Sequence, residues 1–274
     1  EEIQIAAHDT KKLTLPVLPV ENVNGAQEIK DIYASDEKQV YLTFDDGPYL
    51  GSTEKIVDIL EKYHAHATFF HVGNNITDET EHILKHEAEI GCDVANHSQA
   101  HENLRDISLD SALTSLKNTD KLIKDAIGKT PIYVRPPYGA YNDTLREKDG
   151  RMFIYWSLDT SDWKSRNADS VYNTVLKYVE DGDIVLMHDI YDSTADAVEM
   201  LVPELIERGY QLVTVSELME YRDFSYEDGM VLFNLHPTNP LYDSLYGIDT
   251  YDNPPTTLPE EEGGVFNTTP VSAD

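Results

Sequence analysis

The sequence predicts an α/β fold built on a parallel sheet, and three observations carry that reading. Short runs rich in Val, Ile, Tyr and Phe recur between residues 38 and 222, the composition of buried strands. Segments with helical apolar spacing separate them. Ionisable residues gather directly after the runs, and sites in parallel α/β folds form at that end of the sheet.

In chain order, the first strand is expected at residues 40–44 and the first helix on the stripe Ile56, Ile59, Leu60 and Tyr63. A strand follows at 67–70, then a polar helical segment at 77–89 and a strand at 93–96. Leu113, Leu116, Ile123 and Ile127 mark a helix, stopped by Gly128. Strands at 132–134 and 153–156 precede the stripe Val171, Val175, Tyr178 and Val179. A strand at 184–187, the stripe Val198, Leu201, Leu205 and Ile206 with its stop Gly209, and a strand at 211–215 complete the set. These seven strands and their helices fit either a barrel or a doubly wound sheet. Residues 38–222 are short for a full eight-unit barrel, which takes about 250 residues, so a reduced barrel is one solution.

Composition narrows the function. Forty per cent hydrophobic and 26% charged residues in a chain of 274 exclude wholesale disorder and collagen-like repeats. With 21 Lys and Arg against 51 Asp and Glu, the net charge is -30, which repels phosphate backbones and argues against nucleic acid as partner. No apolar run approaches the ~18 residues of a membrane span. A single cysteine, Cys92, excludes a disulfide framework and a multi-cysteine zinc site. No signal-peptide pattern is seen and the first residue is Glu1, as expected of a processed form. Residues 1–37 read as an N-terminal extension. Residues 223–274, acidic and without Lys or Arg, read as a Pro- and Gly-containing tail. Two segments, 230–233 and 241–246, are apolar enough to dock that tail on the core.

Five of the seven strand ends carry chemistry. They are Asp45-Asp46-Gly47-Pro48, His97-Ser98-Gln99-Ala100-His101, Arg135-Pro136-Pro137-Tyr138-Gly139, Asp159 with Asp162-Trp163, and His188-Asp189. Two histidines four apart are a weak signal alone: His82 and His86 show the same spacing in the polar helical segment, where a solvated surface is the expectation. His97 and His101 differ because they follow a buried-looking strand. Adjacent carboxylates such as Asp45 and Asp46 repel at a buried strand end unless a cation compensates, so a metal for one and Arg135 for the other is a consistent reading. Two His and one Asp leave coordination positions open, as in hydrolytic zinc centres, and the same set can hold non-haem iron. The second carboxylate, its arginine and a far-side histidine favour hydrolysis, which needs a general base and a general acid.

The five ordered segments Thr43–Pro48, His97–His101, Arg135–Tyr138, Asp159–Trp163 and Leu186–His188 resemble the motifs of the polysaccharide deacetylases, carbohydrate esterase family 4 with its NodB-type domain. The resemblance covers residues 38–222 and implies a distorted (β/α) barrel of about seven strands that acts as a deacetylase. It further implies that Asp46, His97 and His101 bind a divalent metal, commonly zinc, with cobalt or nickel as substitutes. Asp45 would be the general base toward water and Arg135 its partner. His188 would be the general acid, held by Asp162. The Tyr138 backbone N–H would help stabilise the oxyanion, and Trp163 and Leu186 would wall the acetyl pocket. Cys92 and His71 depart from the family pattern outside these segments, and Cys92 reads mainly as a small buried filler.

The stretches 187–195 and 209–215 look most like the peptidoglycan N-acetylglucosamine deacetylases. Acetyl-xylan esterases and chitin oligosaccharide deacetylases share the motifs and stand as alternatives, with a non-catalytic glycan-binding domain more remote. A secreted or cell-surface monomer acting on an acetylated polysaccharide is the expectation.

Overall fold

In the computed structural model, residues 38–221 and 228–236 are described. The extension at 1–37, the tail beyond residue 236 and the docking segment at 241–246 lie outside them. The order is β1 (Lys38–Asp45), α1 (Ser52–Tyr63), β2 (Thr68–His71), α2 (Glu81–Glu89), β3 (Asp93–Asn96), α3 (Leu109–Ile127), β4 (Tyr133–Val134), α4 (Asp143–Asp149) and β5 (Met152–Ile154). Then come β6 (Leu158–Asp159), α5 (Asp162–Ser165), α6 (Ala168–Tyr178), β7 (Asp183–His188), α7 (Asp192–Glu207), β8 (Tyr210–Leu212), α8 (Val215–Tyr221) and β9 (Val231–Leu232).

The strands run β6-β7-β1-β2-β3-β4-β5-β9, with β8 added beside the start of β1. All these pairings are parallel. The sheet curls into a distorted (β/α) barrel. Asn234 bridges Asp183, and Leu235 N donates to Gly182 O at 2.8 Å, which ties the segment after β9 to the start of β7.

Side-chain alternation on β1 explains the two layers. Val40, Leu42 and Phe44 point outward into the main core, against Ile56 and Leu60 of α1 and Val198 and Leu201 of α7. Tyr41, Thr43 and Asp45 lie on the other face and are also buried. Each of the helical stripes read from the sequence contributes to a core cluster. Gly128 does end α3, in the left-handed region at φ 76°.

The structure adds two short helices that the sequence reading did not include, α4 and α5, and differs from it in three further details. The sheet gains β6 and β9, each of two residues, too short to leave a periodic signal. Met230 and Leu232 carbonyls accept from Phe153 N and Tyr155 N at 2.8 and 2.7 Å, so the 230–233 segment belongs to the sheet. The expected strand at 211–215 stops at Leu212, because Thr214 opens α8. Glu217 N donates to Thr214 Oγ1 at 3.0 Å and Thr214 N donates to Glu217 Oε2 at 2.8 Å, a reciprocal cap that the Thr-x-x-Glu spacing encodes.

Candidate active site

Register gathers the strand ends. Asp45 pairs with His188 across β1 and β7, His71 with Asn96 across β2 and β3, and Asn96 with Val134 across β3 and β4. The residues that follow Asn96 and Val134 are His97 and Arg135. One rim of the barrel therefore collects the charged groups from four strands.

Arg135 is fully buried and each of its side-chain nitrogens donates a hydrogen bond. Nη1 donates to Asp45 Oδ1 and to Thr43 Oγ1, both at 2.7 Å. Nε donates to Ile154 O at 3.1 Å and Nη2 to Tyr155 O at 2.7 Å. The guanidinium also lies 4.2 Å from the centre of the Phe70 ring. Burial alone would raise the Asp45 carboxyl pKa, but Arg135, His97 and His188 together outweigh it and hold the group below its ordinary value. Asp45 is thus kept ionised although almost no water reaches it.

Asp46, His97 and His101 converge, with one ligand atom of each lying within 4.8 Å of the others. Asp46 Oδ1 is 3.6 Å from His97 Nε2 and 3.2 Å from His101 Nε2. His97 Nδ1 is 2.6 Å from the Arg135 carbonyl, which can only accept, so Nδ1 carries the proton and Nε2 presents a lone pair. Burial pushes the His97 pKa down against Asp45 and Asp46, which favours the neutral ring that a metal requires. His101 Nδ1 is 3.1 Å from the Tyr138 hydroxyl. Asp46 Oδ1 is buried yet makes no hydrogen bond. An orphaned carboxylate oxygen facing two imidazole nitrogens is a donor set that fits a divalent transition metal.

His188 sits beside this cluster. Its Nδ1 donates to Asp162 Oδ1 at 2.8 Å, and its backbone N–H to Asp162 Oδ2 at 2.7 Å. Thr194 Oγ1 and Trp163 N complete the shell of the fully buried Asp162 at 2.7 and 2.8 Å. Burial would lower the His188 pKa; the hydrogen bond and charge of Asp162, with Asp45 and Asp46, reverse that and push it up to about 9.

Tyr138 and Trp163 are 67% and 47% exposed, so both aromatic side chains are presented to solvent, while Leu186 is buried on β7. The backbone bears strain at the same rim. Asp46, Ser98, His101, Tyr138, Ser161 and Arg166 all have positive φ without being glycine, and of the described residues only His64, which caps α1, joins them. Such residues cost free energy and persist where the surroundings fix a functional geometry. Gly47 is required for a different reason: a Cβ there would run into the Asp189 carboxylate.

Every residue singled out from the sequence for this site is thus on the rim or directly behind it. His82 and His86 are elsewhere, on α2, paired across to Glu54 and Glu61 of α1 at 2.9 and 3.1 Å, as exposed interhelical contacts. Cys92 is buried in the main core, and burial raises its thiol pKa well above the ordinary value, so it is an inert filler. His71 is fully buried and bonded to the equally buried Glu87 at 2.8 Å, which accounts for a polar residue on that strand.

Some supporting residues were given no role from the sequence. Thr43 and Thr194 anchor Arg135 and Asp162. Asp189, just after β7, ties to the end of β1 and the start of α1: its N–H donates to Asp45 O at 3.3 Å, and its carboxylate accepts from Thr53 Oγ1 at 2.8 Å. Its position next to His188 was the available signal.

Residues 33–152 match the family model described as polysaccharide deacetylase. Over 187 residues the chain is 40% identical to the peptidoglycan-N-acetylmuramic acid deacetylase PdaC of Bacillus subtilis, covering 68% of this chain and 40% of that protein. The solved PdaC structure superposes with a TM-score of 0.67 at 39% identity, over 69% of this chain and 93% of that one. A peptidoglycan-N-acetylglucosamine deacetylase of Bacillus cereus is 34% identical over 200 residues, 69% of this chain and 91% of the relative. A family 4 acetyl xylan esterase from Clostridium thermocellum, solved in complex with a cobalt ion, superposes with a TM-score of 0.69 at 31% identity, over 72% of this chain and 99% of that one. The barrel carries two carboxylates, three imidazoles and a buried arginine at its rim, and the proteins it resembles are deacetylases and an esterase. The chain belongs to the polysaccharide deacetylase family, carbohydrate esterase family 4, and spans 40% of the length of PdaC.

Proposed function

We propose that this protein removes acetyl groups from a polysaccharide with a divalent metal, zinc in the first instance, and that the substrate is peptidoglycan, deacetylated at N-acetylglucosamine. The observation that carries the reading is the pair Asp45, bonded to Arg135, and His188, bonded to Asp162, flanking the Asp46–His97–His101 cluster. Asp46, His97 and His101 would hold the metal. A cation there supplies Lewis acidity, which acidifies water and polarises a carbonyl.

The rest is the work of the chain's own groups. Arg135 occupies Asp45 Oδ1, so Oδ2, which faces His97 Nε2 at 3.6 Å, is the oxygen left to take a proton from water. His188 donates Nδ1–H to Asp162, so the proton on Nε2 is the one it can give to the departing amine. The Tyr138 peptide N–H is the candidate donor to the developing oxyanion, and Trp163 and Leu186 wall the acetyl group. Such a substrate places the protein outside the cytoplasm or at the cell surface, and no described helix is long and apolar enough to cross a membrane. The working expectation is a monomer.

The deciding experiment measures acetate release from N-acetylglucosamine oligomers, peptidoglycan and acetylated xylan, with metal-loaded and chelated protein. Release that depends on metal is expected, greatest from peptidoglycan. A dominant rate on xylan would make the protein an O-esterase, and no release from any substrate would remove the catalytic reading in favour of glycan binding.

The acid assignment has its own test. His188 must be protonated to act, so activity should hold below its pKa of about 9 and fall as the pH rises through it. In Asp162→Asn the neighbouring charge is gone and burial dominates. The alkaline limb of the kcat profile should move down by roughly 1–3 pH units, the size of effect one adjacent charge produces. An unmoved limb would show that another group titrates there.

A further inference from the structure

Past Trp163 the chain turns a second time through the left-handed region, at Arg166, with φ 47°. Arg166 Nε donates to the Trp163 carbonyl at 2.8 Å. Its guanidinium carbon lies 3.2 Å from the centre of the Tyr191 ring. The Tyr191 ring in turn lies 6.0 Å, centre to centre, from the His188 ring. A cation is therefore pinned at the mouth of the site, one aromatic ring away from the proposed acid.

Its partners differ from those of four other arginines. With 51 acids against 21 bases, carboxylates are in excess over the chain as a whole. Arg135, Arg146, Arg151 and Arg208 each bond an Asp or Glu. Arg166 is exposed, yet among the described residues no carboxylate pairs with it, and its contacts are a carbonyl and a ring face. Stacking orients the planar fork without using its two Nη groups, and that fork matches a carboxylate bidentately. A protein of net charge -30 repels anionic glycans at long range, so a fixed cation at the mouth is what a negatively charged substrate needs.

We propose that Arg166, held on Tyr191, binds a carboxylate carried by the glycan next to the acetylated sugar, and so selects acidic over neutral substrates. This rests on the deacetylase reading. The carboxylate can sit on a sugar substituent or on an attached peptide stem; the recognising chemistry is the same.

The test compares kcat/KM on three substrates: chitotetraose, which is neutral; a peptide-free glycan alternating N-acetylglucosamine and N-acetylmuramic acid, whose only anions are lactyl carboxylates; and the same glycan bearing peptide stems. Each is measured with the parent, Arg166→Gln and Arg166→Lys. The parent should favour an acidic glycan, and the acidic-to-neutral ratio should fall ~10–100-fold in Arg166→Gln, the range a hydrogen bond to a charged group spans. The change should lie in KM, Arg166→Lys should restore part of it, and added salt should shrink the parent's preference. Loss on the peptide-free glycan identifies a sugar carboxylate; loss only with stems identifies the stem. A ratio unchanged by Arg166→Gln, or a parent without preference, overturns the proposal. The same glycans titrated calorimetrically into Asp45→Asn protein, with and without Arg166→Gln, give a readout free of turnover. If the parent releases no acetate, the deacetylase reading fails, while tighter binding of acidic glycans that Arg166→Gln abolishes still supports the anion subsite. Equal binding of all three overturns it.

Discussion

Asp45→Asn is expected to reduce acetate release by ~10²–10⁴-fold, the usual contribution of a general base, while leaving the metal content unchanged. The separation follows from geometry. Asp46 is the carboxylate with the orphaned oxygen between His97 and His101, whereas Asp45 spends Oδ1 on Arg135 and turns only Oδ2 toward His97. Asparagine keeps the shape and the contact to Arg135 through its amide oxygen, but it cannot accept a proton at neutral pH. Metal analysis by mass spectrometry and kcat on the same preparation check it. A near-normal rate would take the base assignment from Asp45, and a loss of metal would make Asp45 a ligand.

Arg135→Met should destabilise the fold by about 3–5 kcal/mol, because it strips the partner from a buried carboxylate. Thr43 Oγ1 and the carbonyls of Ile154 and Tyr155 also lose their donor. Urea unfolding midpoints measure the effect. The cost should shrink in Arg135→Met/Asp45→Asn, since the unpaired charge is then removed, and this non-additivity separates a charge effect from a packing effect. In the single variant burial is no longer opposed by the guanidinium, so the Asp45 pKa rises. A base works ionised, so the acid limb of activity should move to higher pH. A cost below ~1 kcal/mol, within the range of exposed pairs, would mean that water reaches the Asp45 charge.

Much of the site was legible because parallel α/β folds place chemistry after strands, and five such segments stand in order along this chain. The helices α1, α3, α6 and α7 were legible from their apolar stripes, the short α4 and α5 were not read, and α8 could have been found from the Thr-x-x-Glu cap that the strand reading at 211–215 overlooked. β6 and β9 could not, since two residues show no alternation and their pairing is made by distant partners. The histidine pairs make the same point. His82–His86 and His97–His101 have one spacing, and only the strand preceding the second pair set them apart.

From its own order of residues the chain determines local things: which segments form helices and strands, where Gly128 ends a helix, and which strand ends carry Asp, His and Arg. Tertiary structure alone decided that Arg135 is fully buried with Asp45, that Asp46 is left with an unbonded oxygen, that His71 is matched by Glu87, and that Arg166 lies over Tyr191 without an ion pair to a described carboxylate. Those facts depend on burial and on charges far apart in sequence, and desolvation and Coulomb forces act through space, where residue order carries no distance.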